Sequence, residues 1–165
     1  MITQDQVREL FNYRNGKLYW KATVNNKTKK GNIVGTRTQQ GYYQCCINYK
    51  IHLLHRVIFV YHYGYLPKVI DHIDGNPSNN KIENLREATG SQNNYNSKLN
   101  KRNLSGVKGV SWDGSREKWI ASITVAKKQK NLGRYDNIFD AACRAMSVRN
   151  TEHGEFASSG ICDER

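Results

Sequence analysis

Asp71-His72-Ile73-Asp74-Gly75-Asn76-Pro77-Ser78-Asn79-Asn80-Lys81-Ile82-Glu83-Asn84-Leu85-Arg86-Glu87-Ala88-Thr89 has few apolar residues and an excess of side chains that ionise or hydrogen-bond. Packing alone does not account for it. Asp71 and His72 are adjacent, so on a strand they point to opposite faces, and both can serve one site only at a strand end where the chain bends. Asp74-Gly75-Asn76-Pro77 supplies that bend. Thr89-Gly90-Ser91-Gln92 then has capping-box spacing, which starts a helix and presents Asn93 in its first turn. The bland alternative is a surface turn followed by capping asparagines; loop, spacing and capping box together weigh against it.

Working outward, Leu54, Val57, Ile58 and Tyr61 recur at helical spacing until Gly64 and Pro67, which places a helix just upstream. Thr3 and Gln6 form a second capping-box pattern in front of Val7, Leu10 and Phe11. Asn15-Gly16, flanked by strand formers, predicts a hairpin, and 17–54 reads as a small antiparallel sheet that turns again at Asn48-Tyr49. Downstream, 98–105 is polar, basic and without apolar periodicity, as a linker would be. Three strand-like runs follow at 107–112, 119–125 and 130–135, divided by Asp113-Gly114-Ser115 and Lys127-Lys128. Ala141, Ala142, Ala145, Met146 and Arg149 then mark a helix. Alternation sends Trp119, Ala121, Ile123 and Val125 towards that helix and Ile120, Ser122 and Thr124 the other way.

The expected fold is therefore α+β: a basic, β-rich region at 1–54, a central strand–loop–strand–helix core at 55–97, the linker, a three-stranded sheet plus helix at 106–157, and a tail at 158–165. With 38% hydrophobic residues among 165, no large core is available, but 17 aromatic residues suffice to fold small ones. The net charge is +12, and residues 1–70 alone contribute +9, so a polyanionic partner is expected. No apolar run is long enough for a membrane span and no signal peptide is legible, so the reading is a cytoplasmic protein. Cys45, Cys46, Cys143 and Cys162 form no C-x-x-C pair, which argues against a structural zinc site or disulfide framework.

Asp-His at the end of the first strand and Asn in the helix resemble the ββα-metal site of HNH endonucleases. Eleven residues lie between His72 and Asn84 and eight between Asn84 and Asn93, giving H, N and N in that family's order. DHIDGN and NNKIENLREAT resemble the phage homing-type subfamily, and HRVIFVYHYGYLPK is similar to its preceding helix. The resemblance implies a metal-dependent endonuclease acting on double-stranded DNA. It makes His72 the general base, a role that an imidazole titrating near pH 6.5 suits. Asp71 and Asn93 become ligands of Mg²⁺ or Mn²⁺, hard cations that accept few protein oxygens when phosphate and water complete the shell. Asn84 becomes the residue that holds the His72 strand, and Arg86 a phosphate contact. Among the other histidines only His55 is kept as a supporting residue.

The 106–157 segment, with Gly106-Val107-Lys108-Gly109-Val110-Ser111-Trp112 and Lys118-Trp119-Ile120-Ala121 among its motifs, resembles the Apetala-two DNA-binding domain. Carried over by position, Lys108, Ser111, Ser122, Thr124, Gln129 and Asn131 would read bases, while Lys118, Lys127, Lys128, Lys130 and Arg134 would contact phosphates. The rival is a non-catalytic DNA-binding regulator that uses the nuclease core as a scaffold. A monomer is the default reading of oligomeric state.

Overall fold

The computed structural model describes residues 2–100 and 102–158; Cys162 and the tail beyond Ser158 lie outside them. The chain forms two units, residues 1–88 and 89–165, and mixes helices with antiparallel sheets throughout.

The first unit opens with α1 (Gln4–Leu10), whose capping box is present: Thr3 Oγ1 accepts from Gln6 N and Gln6 Oε1 accepts from Thr3 N. Strands β1 (Phe11–Arg14) and β2 (Lys17–Trp20) pair through Asn15-Gly16, both left-handed at φ 46° and 79°, as a type I′ hairpin requires. The sheet expected across 17–54 divides. β2 belongs to that hairpin and meets the segment 31–34 through the Tyr19–Ile33 bridge and backbone hydrogen bonds of Leu18 and Trp20, while β3 (Thr36–Arg37), β4 (Tyr43–Ile47) and β5 (Lys50–Leu53) form a separate sheet in that order. Helix α2 (Leu54–Tyr63) follows directly and stops at Gly64, which takes the left-handed conformation. β6 (Val69–His72) and β7 (Leu85–Ala88) complete the unit as an antiparallel pair, with a 3₁₀ turn, Ile82–Asn84, before β7.

One apolar core holds these pieces. Val7, Phe11 and Leu18 from the first elements pack with Val57, Ile58 and Val60 of α2 and with Ile70 and Leu85 of the last hairpin. The basic N-terminal region and the Asp-His hairpin therefore share one interior.

The second unit contains α3 (Gly90–Tyr95), capped by Thr89 and Gln92, then β8 (Val110–Asp113), β9 (Lys118–Val125), β10 (Lys128–Tyr135) and α4 (Ile138–His153). The sheet order is β10-β9-β8. Ala121 and Val110 meet Ala141 and Ala145, small residues that let α4 lie close on the sheet. Two sequence boundaries shift by physical necessity. The second turn is Ala126-Lys127, left-handed at φ 49° and 65°, because Lys128 already pairs with Val125. β8 begins at Val110 because Gly109, at φ 81°, lies against the Ser122 carbonyl.

Candidate functional site

Asp71 and His72 are the last residues of β6 and both are buried, at 4% and 6% exposure. That burial is incompatible with a surface turn. Strand register puts Asp71 opposite Arg86 and His72 opposite Leu85. Arg86 Nε and Nη2 each lie 2.9 Å from Asp71 Oδ2, so the guanidinium clamps the carboxylate within the hairpin. Arg86, read from sequence as a phosphate contact, is thus turned onto Asp71.

His72 points the other way, into the first unit. Its Nε2 lies 3.0 Å from Oδ1 of Asn80, itself 2% exposed. An amide oxygen accepts, so with this amide orientation Nε2 is the donor. His55 of α2 packs on the ring edge-on at 5.0 Å, and Tyr42 flanks both imidazoles. Burial, then the charges of His72 and Arg56, push His55 down to about 3. It is a neutral wall at ordinary pH, and its Nδ1 has no hydrogen-bond partner among the described residues. Asn80 escaped the sequence reading: it lies in a run of asparagines, and its place eight residues after His72 was the only signal.

The loop between the strands is held by its own polar side chains. Asn84 Oδ1 accepts from Asp74 N, and its Nδ2 donates to Asp74 Oδ1 and to Asn79 O. Asn79 Nδ2 donates to the other Asp74 oxygen at 2.7 Å. Burial opposes ionisation of Asp74, but the hydrogen bonds from Asn79, Asn76 and Asn84 and the charge of His72 outweigh it and hold the carboxyl below its usual range. The rest of the unit braces this loop from two sides. Ile82 N donates to Tyr13 Oη, and a Cβ added at Gly16 would stand 2.8 Å from Lys81 N. On the other side, Ser78 Oγ donates to Gly41 O at 2.8 Å. The N-terminal hairpin thereby fixes the backbone next to Asn80, and Asn80 fixes His72.

Asn93 lies exposed on α3 in the second unit, where its N–H donates to Thr89 O. Cys45 is buried in β4 with its thiol pushed up to about 12, and Cys46 and Cys143 are exposed. Among the described residues no three His, Cys, Asp or Glu side chains cluster into a metal site; the donors on the hairpin and its loop, the Asp71 carboxylate and asparagine amides, are oxygens of the kind a hard divalent cation takes.

Register sorts the residues matched to DNA contacts in the second unit. Ser111, Lys118, Ser122, Thr124, Gln129, Asn131 and Arg134 share the sheet face turned away from α4. Cations there are paired lightly: Arg134 with Asp113 at 3.3 Å and Lys118 with Asp136 at 2.5 Å. Exposed pairs of this kind are worth about 0–1 kcal/mol and exchange readily for phosphate. Lys127 sits exposed in the turn. Lys128 and Lys130 fall on the helix side of β10, and Lys130 reaches Glu152 of α4. Lys108 is the clear departure from the sequence reading: its ammonium is turned inward onto Tyr95 O and Ser97 O.

Residues 52–95, from β5 through the Asp-His hairpin to the end of α3, match a family model described as HNH endonuclease. The chain is also 42% identical over 96 residues to "Protein 3.8" of Escherichia phage T7, an alignment that covers 57% of this chain and 78% of that protein. No solved structure matches the chain significantly. The two matches lead to one assignment: the chain belongs to the family of this phage protein and carries an HNH endonuclease domain at residues 52–95.

Proposed function

We propose that the protein hydrolyses phosphodiester bonds in double-stranded DNA, as a divalent-metal-dependent endonuclease of the phage homing type working in the host cytoplasm. The observation that carries this reading is the buried Asp71–His72 pair at a strand end, with His72 oriented by Asn80 on a braced loop.

In this reading His72 takes the proton of the attacking water. Asn80 holds the ring at Nε2, and His55 and Tyr42 keep bulk water from the ring's flank. Asp71 is the carboxylate that would hold Mg²⁺ or Mn²⁺, kept in position by Arg86, and Asn93 is the amide ligand the resemblance implies. The bound cation would supply charge stabilisation to the phosphorane and the leaving 3′-oxygen. Asn84 acts at one remove, by closing the loop onto Asp74. The open sheet face of the second unit, read as an Apetala-two-type module, would lie on duplex DNA, with Ser122, Thr124, Gln129 and Asn131 nearest the bases.

The test is incubation of supercoiled plasmid with the full-length protein, with and without Mg²⁺. Relaxed or linear product only with metal is expected. Plasmid that is bound but never cut, with Mg²⁺ or Mn²⁺, would favour the non-catalytic regulator.

A further inference from the structure

The second unit contains a pocket of about 350 Å³ lined from α3, Lys108 and Gly109 ahead of β8, the end of β9 with Lys127 of the turn after it, and the last turns of α4. At its wall is Arg149, which is 3% exposed. One arm of its guanidinium donates to Lys108 O, and the other donors have no partner among the described residues. Asp71, Asp113, Asp136 and Glu152 form ion pairs with other cations. The neighbouring cation is Lys108, whose ammonium donates, among the described residues, to neutral oxygens of Tyr95, Ser97 and Ser158. Burial, then the charge of Arg149, bring Lys108 down to about 8, and burial lowers Arg149 as well. The third titratable group, His153, stacks on Tyr95 at 3.7 Å and donates from Nε2 to Thr124 O; burial, with Arg149 and Lys108 adding to it, keeps it below its usual range.

A buried guanidinium beside a half-buried ammonium, with no acid between them among the described residues, forms an arrangement that an anion would complete. Desolvating a guanidinium is costly unless an acceptor of opposite charge joins it, and its planar fork matches a phosphate in two-point contact. Lys127 stands in the lining as an exposed cation, and Ser91 and Asn94 of α3 bring hydroxyl and amide donors. We propose that this pocket binds one phosphate-type oxyanion, seated on Arg149 with Lys127 at its rim. A backbone phosphate of DNA and a free phosphate share this chemistry, and the experiment separates them.

Full-length protein is melted in increasing inorganic phosphate at fixed ionic strength, against chloride as control. The melting temperature is expected to rise with phosphate, as it does for any ligand bound only by the folded state. Asn94→Asp places a carboxylate in the lining; it should melt higher than the parent without phosphate and no longer respond. Arg149→Gln should also fail to respond, and Lys127→Gln, at an exposed turn where folding is not at risk, should need several-fold more phosphate. The second arm, which rests on the DNA reading above, measures how duplex binding falls with salt. A slope shallower by about 0.9 in Asn94→Asp assigns the site to a backbone phosphate; an unchanged slope with the phosphate response intact assigns it to a free oxyanion. No phosphate response in the parent together with an unchanged slope overturns the proposal, as does an equal response in parent and Asn94→Asp. The melting arm does not depend on cleavage, so a protein that cuts no DNA still tests the pocket.

Discussion

Replacing Asn80 by alanine removes the acceptor 3.0 Å from His72 Nε2, at a position that is 2% exposed. Losing this hydrogen bond in a buried space costs about 1–3 kcal/mol. For a unit of this size each kcal/mol lowers the melting temperature by about 4–8 °C. The effect on chemistry is bounded from above by removal of the base itself: His72→Ala should leave DNA binding nearly intact and lower cleavage by about 10²–10⁴. Asn80→Ala keeps the ring against His55 and Tyr42, so it should lose only orientation, about tenfold if some 1.4 kcal/mol of positioning is forfeited. Stability is read by denaturation with Trp20 as the sole tryptophan, Trp112 and Trp119 being changed to Phe, because Trp20 packs on Phe11 in the same core as the site. Cleavage is read as single-turnover nicking at saturating protein. The decisive comparison is the double variant: with His72 already gone, Asn80→Ala should cost no further rate. Full additivity of the two rate losses, or wild-type cleavage by Asn80→Ala, would refute the link between this amide and the base.

Gly16→Ala adds a Cβ at φ 79° and 2.8 Å from Lys81 N; a loss of more than about 1 kcal/mol is expected, with slowed cleavage at unchanged DNA affinity, and normal cleavage would show that the N-terminal hairpin does not brace the site. His55 is held neutral down to about 3 in the fold, whereas the unfolded chain takes up a proton below about 6.5. Its contribution is therefore complete above that value and declines as pH falls towards 3, by up to about 1.4 kcal/mol per unit; His55→Leu should flatten this part of the stability–pH curve, and an unaltered slope would assign it to other groups. A chain ending at Lys98 should retain the fold of the first unit, by circular dichroism and Trp20 fluorescence, yet lose metal-dependent nicking, because it strips α3 of its support; nicking at the full-length rate would show that Asn93 needs none.

What the sequence disclosed and what it hid follow the range of the interactions involved. Both capping boxes, the Asn15-Gly16 hairpin and the Gly64 helix stop depend on residues within four of one another, and each stands where its local chemistry puts it. The alternation in 119–125 was legible for the same reason, since a strand's two faces are written at every second residue. The environment of His72 is built at longer range, from Tyr42, His55 and Asn80 on three different segments, and no spacing rule brings them together. Arg86 shows the same limit in a sharper form. Its charge suggested phosphate, but antiparallel register sets it across from Asp71, and register is decided by which face of the hairpin carries Ile70 and Leu85 into the core. Helix α3 is the most instructive case. Six residues cannot sustain a helix alone, so its place is decided by what Tyr95 finds: His153 stacked on its ring, Ala126 N on its hydroxyl and Lys108 on its carbonyl, all within the second unit. The HNH match nevertheless runs through this helix to Tyr95. The residue that carries the last letter of the motif thus depends for its helix on the fold of the C-terminal sheet and α4.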